Sequence, residues 1–225
     1  MIEARACDVK SLEPGVLMTY SNCMQLKIDP EFPEPRIISH AVAVLERGGV
    51  LAYPTDTNYG MGCAIYEDEA ISRVLKLKNL DKHHLLSIIC PDLSDIARYA
   101  ILENNAYQIM KRHLPGPYTF ILKATPEVPK IFRSERQTVG IRVPDHPVVL
   151  MMTRIFRKPI VSTSTVVANR VCRNGTEINR DFGHGLDLIL DTGTIEPKDS
   201  TVIDLSGPYP VVERQGAGDI SRIVV

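Results

Sequence analysis

The sequence predicts a mixed α/β fold in which helices pack against a single sheet. Through most of the 225 residues, short runs of β-favouring residues alternate with segments whose apolar residues recur at helical spacing. Beyond residue 186 the predicted strands follow one another without helices between them. The alternation favours a sheet covered by helices, and the closing strands make that sheet mixed, so we expect one α/β domain.

Composition limits the classes of function. The chain is 44% hydrophobic and 24% charged, with a formal net charge of −1, so no global field draws it to nucleic acid or to a membrane. The five cysteines are scattered and never form a Cys-x-x-Cys pair, which argues against a disulfide framework or a zinc site. No apolar run approaches the roughly 18 residues of a spanning helix, and charged residues interrupt the amino terminus where a signal peptide needs an apolar stretch. We therefore expect a cytoplasmic protein without a membrane partner.

The amino-terminal part divides into an extension and the start of the domain. The apolar residues within 1–23 recur at neither helical nor strand spacing. We therefore expect an N-terminal extension over residues 1–23, followed by a domain over residues 24–225. Residues 24–28 form a strand-like run, and the three prolines within residues 29–35 indicate an extended connector. Apolar residues at helical spacing predict a helix over residues 36–47, which a pair of glycines ends.

The remaining elements are predicted from the helical or strand spacing of apolar residues and from the prolines and glycines that end each run. A Pro-Gly-Pro sequence at residues 115–117 ends one helix with a rigid turn. Residues 167–185 are polar and irregular. The other predicted helices cover residues 68–78, 93–100, 104–114, 128–132 and 146–156, and the predicted strands after the first cover residues 50–53, 85–90, 118–124, 138–143, 159–163, 186–190, 200–205 and 210–214.

One stretch concentrates groups that can face a ligand. The apolar residues 50–53 meet Pro54, which cannot donate a ladder hydrogen bond, so the strand should stop there. Residues 55–59 (Thr-Asp-Thr-Asn-Tyr) then offer hydroxyl, carboxylate, amide and phenol groups in consecutive positions, and two glycines follow that let other backbone come close. The same side chains can instead satisfy their own backbone, and for Asp56 a general base and an Asx-type turn are both open.

Polar side chains also stand at the carboxyl ends of other predicted strands. Arg142 ends one strand, and Ser162 and Ser164 end another. In open α/β sheets ligands bind at that edge, so the loops are expected to converge on one cleft. Hydroxyls, a guanidinium and the amine of Lys78 suit an anionic, oxygen-rich ligand such as a nucleotide.

Each of these residues also has a purely structural interpretation. Lys78 can be a solvated charge near a helix end, and Arg142 can pair with Asp145 in a turn. His83 and His84 are adjacent and would point to opposite sides of a strand, so no metal site is predicted. No Walker loop, G-x-G-x-x-G, G-x-S-x-G or H-E-x-x-H sequence is present, which disfavours the P-loop, dinucleotide-fold and hydrolase classes.

Several ordered motifs together resemble those of the YrdC family, over residues from about 24 to 216. They are Gly-Gly-Val-Leu-Ala-Tyr-Pro-Thr-Asp-Thr-Asn-Tyr-Gly-Met-Gly at 48–62, Lys-Leu-Lys at 76–78, Leu-Pro-Gly-Pro-Tyr-Thr-Phe-Ile-Leu at 114–122, Gly-Ile-Arg-Val-Pro at 140–144 with His146, Ser-Thr-Ser at 162–164 and Ser-Thr-Val-Ile-Asp at 200–204. The resemblance implies a twisted mixed sheet with helices around a deep concave cavity that is positively lined. It also implies threonylcarbamoyl-AMP synthesis from L-threonine, bicarbonate and ATP with release of pyrophosphate, in the threonylcarbamoyl modification of tRNA.

The same resemblance assigns roles to particular residues. Lys78 and Arg142 would be catalytic, and Mg²⁺ would accompany ATP on its phosphates. Binding of double-stranded RNA or tRNA is also attributed to the family. The substrate-binding residues would be Thr55, Thr57, Tyr59 and Ser162, and the nucleotide-binding residues Lys78, Thr119, Ser164 and Arg214.

The chain departs from the synthase pattern in two motifs. Synthases carry Lys-x-Arg, followed by Pro-Leu, at the cationic helix end and Ser-x-Asn after the strand that ends near residue 161. Here Leu80 takes the place of the arginine, Leu85 that of the proline and Val166 that of the asparagine. Loss of one arginine from a phosphate contact forfeits about 1.5–3 kcal/mol. The pattern resembles the YciO branch, which keeps the fold and cavity without both motifs.

Two functions remain open from the sequence. One is a threonylcarbamoyl-AMP synthase-like nucleotidyltransferase. The other is a YciO-type protein that binds nucleotide, double-stranded RNA or tRNA without efficient synthase activity. The RNA interpretation depends on local cations, since the net charge gives it no support. These cations are Lys76, Lys78, Lys82, Arg170, Arg173 and Arg180.

Overall fold

Strands and helices are interspersed along the described chain as far as the last helix, after which three strands follow. The computed structural model describes residues 23–80, 86–132, 134–221 and 223. The strands are β1 (Met24–Lys27), β2 (Leu51–Tyr53), β3 (Gly60–Ala64), β4 (Ser87–Ile89), β5 (Tyr118–Lys123), β6 (Thr138–Arg142), β7 (Ile160–Ser164), β8 (Val166–Val167), β9 (Arg170–Val171), β10 (Leu188–Asp191), β11 (Thr201–Asp204) and β12 (Val211–Arg214). The α-helices are α1 (Pro35–Glu46), α2 (Asp68–Leu77), α3 (Leu93–Tyr99), α4 (Asn104–His113), α5 (Pro147–Phe156) and α6 (Gly175–Phe182), and short 3₁₀ turns cover Lys130–Phe132 and Gly183–Gly185.

Ten strands of the described chain form one mixed sheet in the order β1-β10-β2-β3-β7-β4-β6-β5-β11-β12. Six of them, β1, β10, β2, β7, β5 and β11, run in one direction. The other four, β3, β4, β6 and β12, run in the opposite direction. The predicted mixed α/β fold with helices on a sheet is therefore confirmed.

Helices cover both faces of the sheet and divide the core into two clusters. On one face α1 and α5 pack against Leu51, Ile160 and Leu188. On the other face α2, α3, α4 and α6 pack against a larger cluster that includes Ile88 and Phe120. The helices form because their apolar residues recur at helical spacing and line one side of each helix.

The main segments that differ from the sequence prediction are β3 and α6, and the short β8–β9 hairpin was also not predicted. β3 was not predicted as a strand, because glycines at positions 60 and 62 lower strand propensity. Its five residues are nevertheless buried. The second difference is α6, which lies in the range 167–185 that was predicted to be irregular. Asn174 caps this helix by accepting a hydrogen bond from the backbone N–H of Glu177 at 2.9 Å.

The glycine at position 62 is required by a close approach of two strands. A Cβ atom added to Gly62 would lie 1.7 Å from the carbonyl oxygen of Val161, across the antiparallel β3–β7 pair. Strand propensity therefore yields to packing here, since no other residue leaves room for the neighbouring backbone.

Some predictions fall on residues outside the described ranges. These are the N-terminal extension up to residue 22 and the segment that contains Lys82, His83, His84 and Leu85. None of the helices in the described ranges combines the length and the apolar character needed to cross a bilayer.

We expect Gly62→Ala to lower the free energy of unfolding by about 3 kcal/mol, because the added methyl group forces β3 away from β7. Gly140→Ala is the matched control. A Cβ atom at Gly140 would meet only Thr119 and Ser87, no closer than 3.5 Å, so its unfolding free energy should stay the same or rise by up to about 1 kcal/mol. Urea denaturation of the two variants measures the difference. Equal stability of the two proteins would contradict the packing argument.

Candidate functional site

Five of the predicted site residues lie on one face of the sheet. Residues that are paired across neighbouring strands point to the same face, because side chains alternate along each strand. Ser162 on β7 is paired with Gly62 on β3 and with Ser87 on β4, and Ser87 is paired with Gly140 on β6. Arg142 lies two residues beyond Gly140 and therefore shares this face.

The same alternation adds three more predicted residues to this face. Ser164 is two residues beyond Ser162, and Thr119 is level with Arg142 on the neighbouring strand β5. Val202 on β11 is paired with both Thr119 and Arg214, which brings Arg214 to the same side. We call this surface, from Ser164 to Arg214, the polar face.

The polar face replaces the predicted cleft at one strand edge. That expectation was wrong because β6, which ends in Arg142, runs antiparallel to β7, which ends in Ser164. Ile89 on β4 is paired with both Arg142 and Ile160, so Arg142 lies level with the start of β7. The carboxyl ends of these two antiparallel strands thus lie at opposite edges of the sheet, and the polar face extends across the sheet instead of along one edge.

A row of small residues forms the floor of the polar face. Gly62, Ser162, Ser87 and Gly140 follow one another across four strands. No described residue of β5, β6 or β11 belongs to the apolar cluster that α1 and α5 form on this face. Sequence analysis missed the roles of Ser87 and Gly140. Ser87 has no signal beyond a small residue beside an apolar run, whereas Gly140 lies in the motif at 140–144 without an assigned role.

Arg142 is the centre of the hydrogen bonding above this floor. Its Nη2 donates to Asp56 Oδ1 and to Thr57 Oγ1, both at 3.0 Å. Asp56 Oδ2 accepts from the backbone N–H of Asp145 at 2.9 Å. The loop that follows β2 therefore folds back over the sheet to reach the end of β6. Arg142 forms its ion pair with Asp56, and the alternative pairing with the Asp145 carboxylate is wrong.

The Arg142–Asp56 pair is almost removed from solvent. The two side chains are 12% and 9% exposed. Burial lowers the pKa of Arg142 and raises the pKa of Asp56, and the attraction between the two charges opposes both shifts. In the described part of the chain, the buried Nε of Arg142 has no hydrogen-bond acceptor. A buried donor without an acceptor costs about 1–3 kcal/mol, so this atom is suited to an acceptor supplied by a ligand.

Ser162 is oriented by a tyrosine that the sequence analysis did not assign to the site. The Tyr53 hydroxyl donates to Ser162 Oγ at 2.8 Å, and Tyr53 is completely buried. Burial raises the pKa of Tyr53, so the phenol remains protonated and acts as the donor. Ser162 accepts this bond and keeps its own proton available for a ligand.

Thr119 and Arg214 are joined through a third residue, Ser200. Arg214 donates from Nη2 to Ser200 Oγ and from Nε to the Ser200 carbonyl, each at 3.1 Å. The hydroxyls of Ser200 and Thr119 are 2.9 Å apart. The positive charge of Arg214 is close enough to Arg142 to lower the pKa of Arg142 further. These groups form the second cationic part of the polar face.

Thr55 and Tyr59 support the loop between β2 and β3 from within. Thr55 Oγ1 accepts from the backbone N–H groups of Thr57 and Asn58, at 3.2 and 3.3 Å. The backbone N–H of Thr192 donates to the Tyr59 hydroxyl at 2.9 Å, and the Gly193 carbonyl lies 2.8 Å from that hydroxyl. The phenol is thus directed to the end of β10, away from Arg142.

A separate pocket of about 430 Å³ lies beyond Tyr59, at the ends of β1 and β10. Its lining includes Asp29, Glu34 and Asp191, and none of the predicted site residues. Among the described residues, no group of three or more His, Cys, Asp or Glu side chains is arranged to hold a metal ion.

Lys78 reaches the end of β7 from the opposite helical layer. Its Nζ donates to the carbonyl oxygen of Val166, two residues beyond Ser164, and lies 5.6 Å from the centre of the Phe182 ring. Burial lowers the pKa of Lys78, which distinguishes it from a solvated surface lysine. No contact between described residues joins Lys78 to Arg142.

Leu80, at the position of the synthase arginine, has a structural role. The backbone N–H groups of Asn79 and Leu80 donate to the carbonyls of Lys76 and Leu75, at 3.0 and 2.9 Å, and Asn79 has a φ of 50°. This is the Schellman arrangement that ends a helix. Leu80 packs against the larger core cluster, so its side chain serves the core.

Three of the predicted cations are paired with acidic side chains. Arg170 bonds to Glu177 and Asp181, Arg180 bonds to Asp181, and Arg173 bonds to Glu196. Their charges are therefore largely balanced at the surface.

The fold and the polar face define an α/β protein with a partly enclosed cationic surface on its sheet. The Sua5/YciO/YrdC family model, described as telomere recombination, matches residues 43–216. The crystal structure of E. coli YciO superposes with a TM-score of 0.85 at 36% identity, covering 90% of this chain and 100% of that one. The chain belongs to the Sua5/YciO/YrdC family, which confirms the predicted resemblance.

Two further comparisons concern relatives with a named activity or ligand. A threonylcarbamoyl-AMP synthase of Halorhodospira halophila is 34% identical over 163 residues, which are 72% of this chain and 85% of the relative. The crystal structure of P. abyssi Sua5 complexed with L-threonine superposes with a TM-score of 0.80 at 26% identity, covering 86% of this chain and 57% of that one.

We expect that Leu80→Arg does not restore a synthase motif. The substitution removes an apolar side chain from the core contact that closes α2, so the free energy of unfolding should fall by about 1 kcal/mol or more. Leu80→Met is the matched control and should stay near the parent, because it keeps an apolar side chain of similar volume. Urea denaturation measures both. An arginine variant as stable as the methionine variant would show that Leu80 is not a core residue.

Proposed function

We propose that the chain is a threonylcarbamoyl-AMP synthase-like protein of tRNA modification that binds L-threonine on the polar face. The observation that carries the proposal is the buried Arg142 guanidinium, held by Asp56 and Thr57, with Nε lacking an acceptor among the described residues. A carboxylate supplies the acceptor that this atom needs. The likeness to P. abyssi Sua5 complexed with L-threonine supports the choice of ligand.

The proposed reaction converts L-threonine, bicarbonate and ATP to threonylcarbamoyl-AMP, pyrophosphate and water, with the water released when the threonine amine and bicarbonate form the carbamate. A carbamate oxygen, formed on the amino group of threonine, attacks the α-phosphorus of ATP, and pyrophosphate leaves in line. Mg²⁺ would arrive with ATP and neutralise phosphate charge. The protein mainly positions the reactants, because phosphoryl transfer of this kind depends on orientation and electrostatics.

The residues of the polar face divide between the two ends of this reaction. Arg142, Thr57 and Ser162 would hold threonine and its carbamate, while Thr55 and Tyr59 keep the loop in place. The nucleotide would lie toward Thr119, Ser164 and Arg214. Lys78 would contact phosphate once its amine leaves the Val166 carbonyl. Catalysis would thus need Lys78 and Arg142 to act from two sides of the same ligand.

A second function is favoured by the phosphate end of the site. Leu80 packs in the core, and Val166, whose carbonyl binds Lys78, takes the place of the synthase asparagine. This end therefore lacks the arginine and the asparagine of the synthase motifs. A YciO-type protein that binds nucleotide or tRNA without efficient synthesis fits these contacts. The RNA variant of this proposal has less support, because Arg170, Arg173 and Arg180 are paired with carboxylates.

We expect L-threonine to raise the melting temperature of the protein, since a ligand that binds only the folded state stabilises it. Arg142→Gln should weaken this binding by about tenfold to more than a hundredfold, because a charge-assisted bond contributes about 1.5–3 kcal/mol. Arg154→Gln is the matched control, as Arg154 is an exposed arginine on α5. An unchanged effect of threonine in Arg142→Gln would contradict the proposal.

Pyrophosphate release separates the two functions. If the chain is a synthase, release from ATP and bicarbonate should require L-threonine and should be lost in Arg142→Gln. Binding of threonine or ATP without release would support the second function. Val166→Asn tests the phosphate end directly, because it restores an amide next to Lys78 and leaves Leu80 in the core.

A further inference from the structure

We infer that Asp56 is a positioning residue, which sets the orientation of the Arg142 guanidinium for a ligand carboxylate. The inference rests on the proposed function only for the identity of that ligand. Asp56 lies in the middle of the loop between β2 and β3, and nothing in its sequence context distinguishes this role from a turn or a general base.

The geometry gives each oxygen of Asp56 a different partner. Oδ1 accepts from Arg142 Nη2 at 3.0 Å, and Oδ2 accepts from the backbone N–H of Asp145 at 2.9 Å. One carboxylate therefore holds the guanidinium and the loop that follows β6 at the same time. Since both oxygens are engaged, Asp56 is poorly placed to accept a proton from a substrate.

The partition of donors on Arg142 supports the same role. Asp56 and Thr57 both accept hydrogen bonds from Nη2, while the buried Nε has no acceptor among the described residues. A guanidinium is planar, so fixing one nitrogen fixes the direction of the others. Asp56 thus holds Nη2 in place and leaves Nε as a donor of the guanidinium without an acceptor among the described residues.

Burial makes this orientation depend on Asp56 in particular. The Asp56 side chain is 9% exposed and that of Arg142 is 12% exposed, so water competes little for their contact. The groups that surround the pair are the Tyr53 phenol, the Arg214 guanidinium and the Asp145 carboxylate. Among the described contacts, none of these three groups forms a hydrogen bond or ion pair with Arg142.

The test compares Asp56→Asn with Asp145→Asn. Each variant removes one carboxylate from this part of the chain, but only the first removes the carboxylate that is ion-paired with the Arg142 guanidinium. Affinities are measured for L-threonine and for L-threonine amide, which lacks the carboxylate. We expect Asp56→Asn to weaken the binding of L-threonine about tenfold or more and to change the affinity for the amide little. Asp145→Asn should keep both affinities within about twofold of the parent values.

Two outcomes would overturn the inference in this assay. Equal weakening of the acid and the amide would indicate a general structural role. If Asp56→Asn lowers the affinity for L-threonine as much in an Arg142→Gln background as in the parent, Asp56 does not act through Arg142. The effects of substituting two residues that act through one another are not additive.

A measurement without ligand keeps this test independent of the proposed function. The guanidinium protons of Arg142 can be followed by NMR and assigned by their absence in Arg142→Lys. We expect their exchange with solvent to be several-fold faster in Asp56→Asn than in the parent or in Asp145→Asn. Equal exchange rates would overturn the positioning role, whether or not the protein binds threonine. If the parent binds no threonine, the proposed function fails while this comparison still decides the role of Asp56.

Discussion

The close approach of β3 and β7 at Gly62 is the constraint on which the site depends. A side chain at this position would overlap the carbonyl of Val161, so the two strands can pair only with glycine there. Their pairing brings the loop before β3 next to Ser162, and the glycine leaves the floor of the polar face without a bulky side chain at this position. The antiparallel direction of β3 also turns the chain back toward β4 and β6. Packing in the centre of the sheet thus determines where the polar groups can meet.

The buried ion pair of Arg142 and Asp56 fixes the arrangement of charged groups on the polar face. It links residues 86 positions apart and closes the loop over the sheet. A buried pair contributes little net stability, because desolvation offsets the attraction. Its effect here is to hold a charged donor in one direction where little solvent reaches it. Arg214, fixed by Ser200, adds positive charge on the same face.

Helices and several strands could be predicted from the sequence because their signals are local. The apolar spacing within α1 and α2 is enough to define each helix, and Pro54 marks the end of β2. β3 could not be predicted, since its glycines reflect a contact with a strand about 100 residues later. The short polar helix α6 has few apolar residues to reveal it.

The site was found only in part for the same physical reason. Lys78, Arg142 and Ser162 stand out through their motifs, whereas Ser87 and Gly140 become site residues only when the register aligns them. Strand direction is not encoded locally, so the antiparallel run of β6 and the partner of Arg142 appear only in the structure. Motif resemblance also could not show that Leu80 belongs to the core, because that role depends on the end of α2.

The central claim is that a carboxylate ligand lies across the sheet at Arg142. The most direct measurement is a crystal structure of the protein grown with saturating L-threonine. The account predicts an ordered threonine above Gly140 whose carboxylate lies about 3 Å from Arg142 Nε. Threonine bound instead in the pocket beside Asp191, with nothing against Arg142, would contradict it.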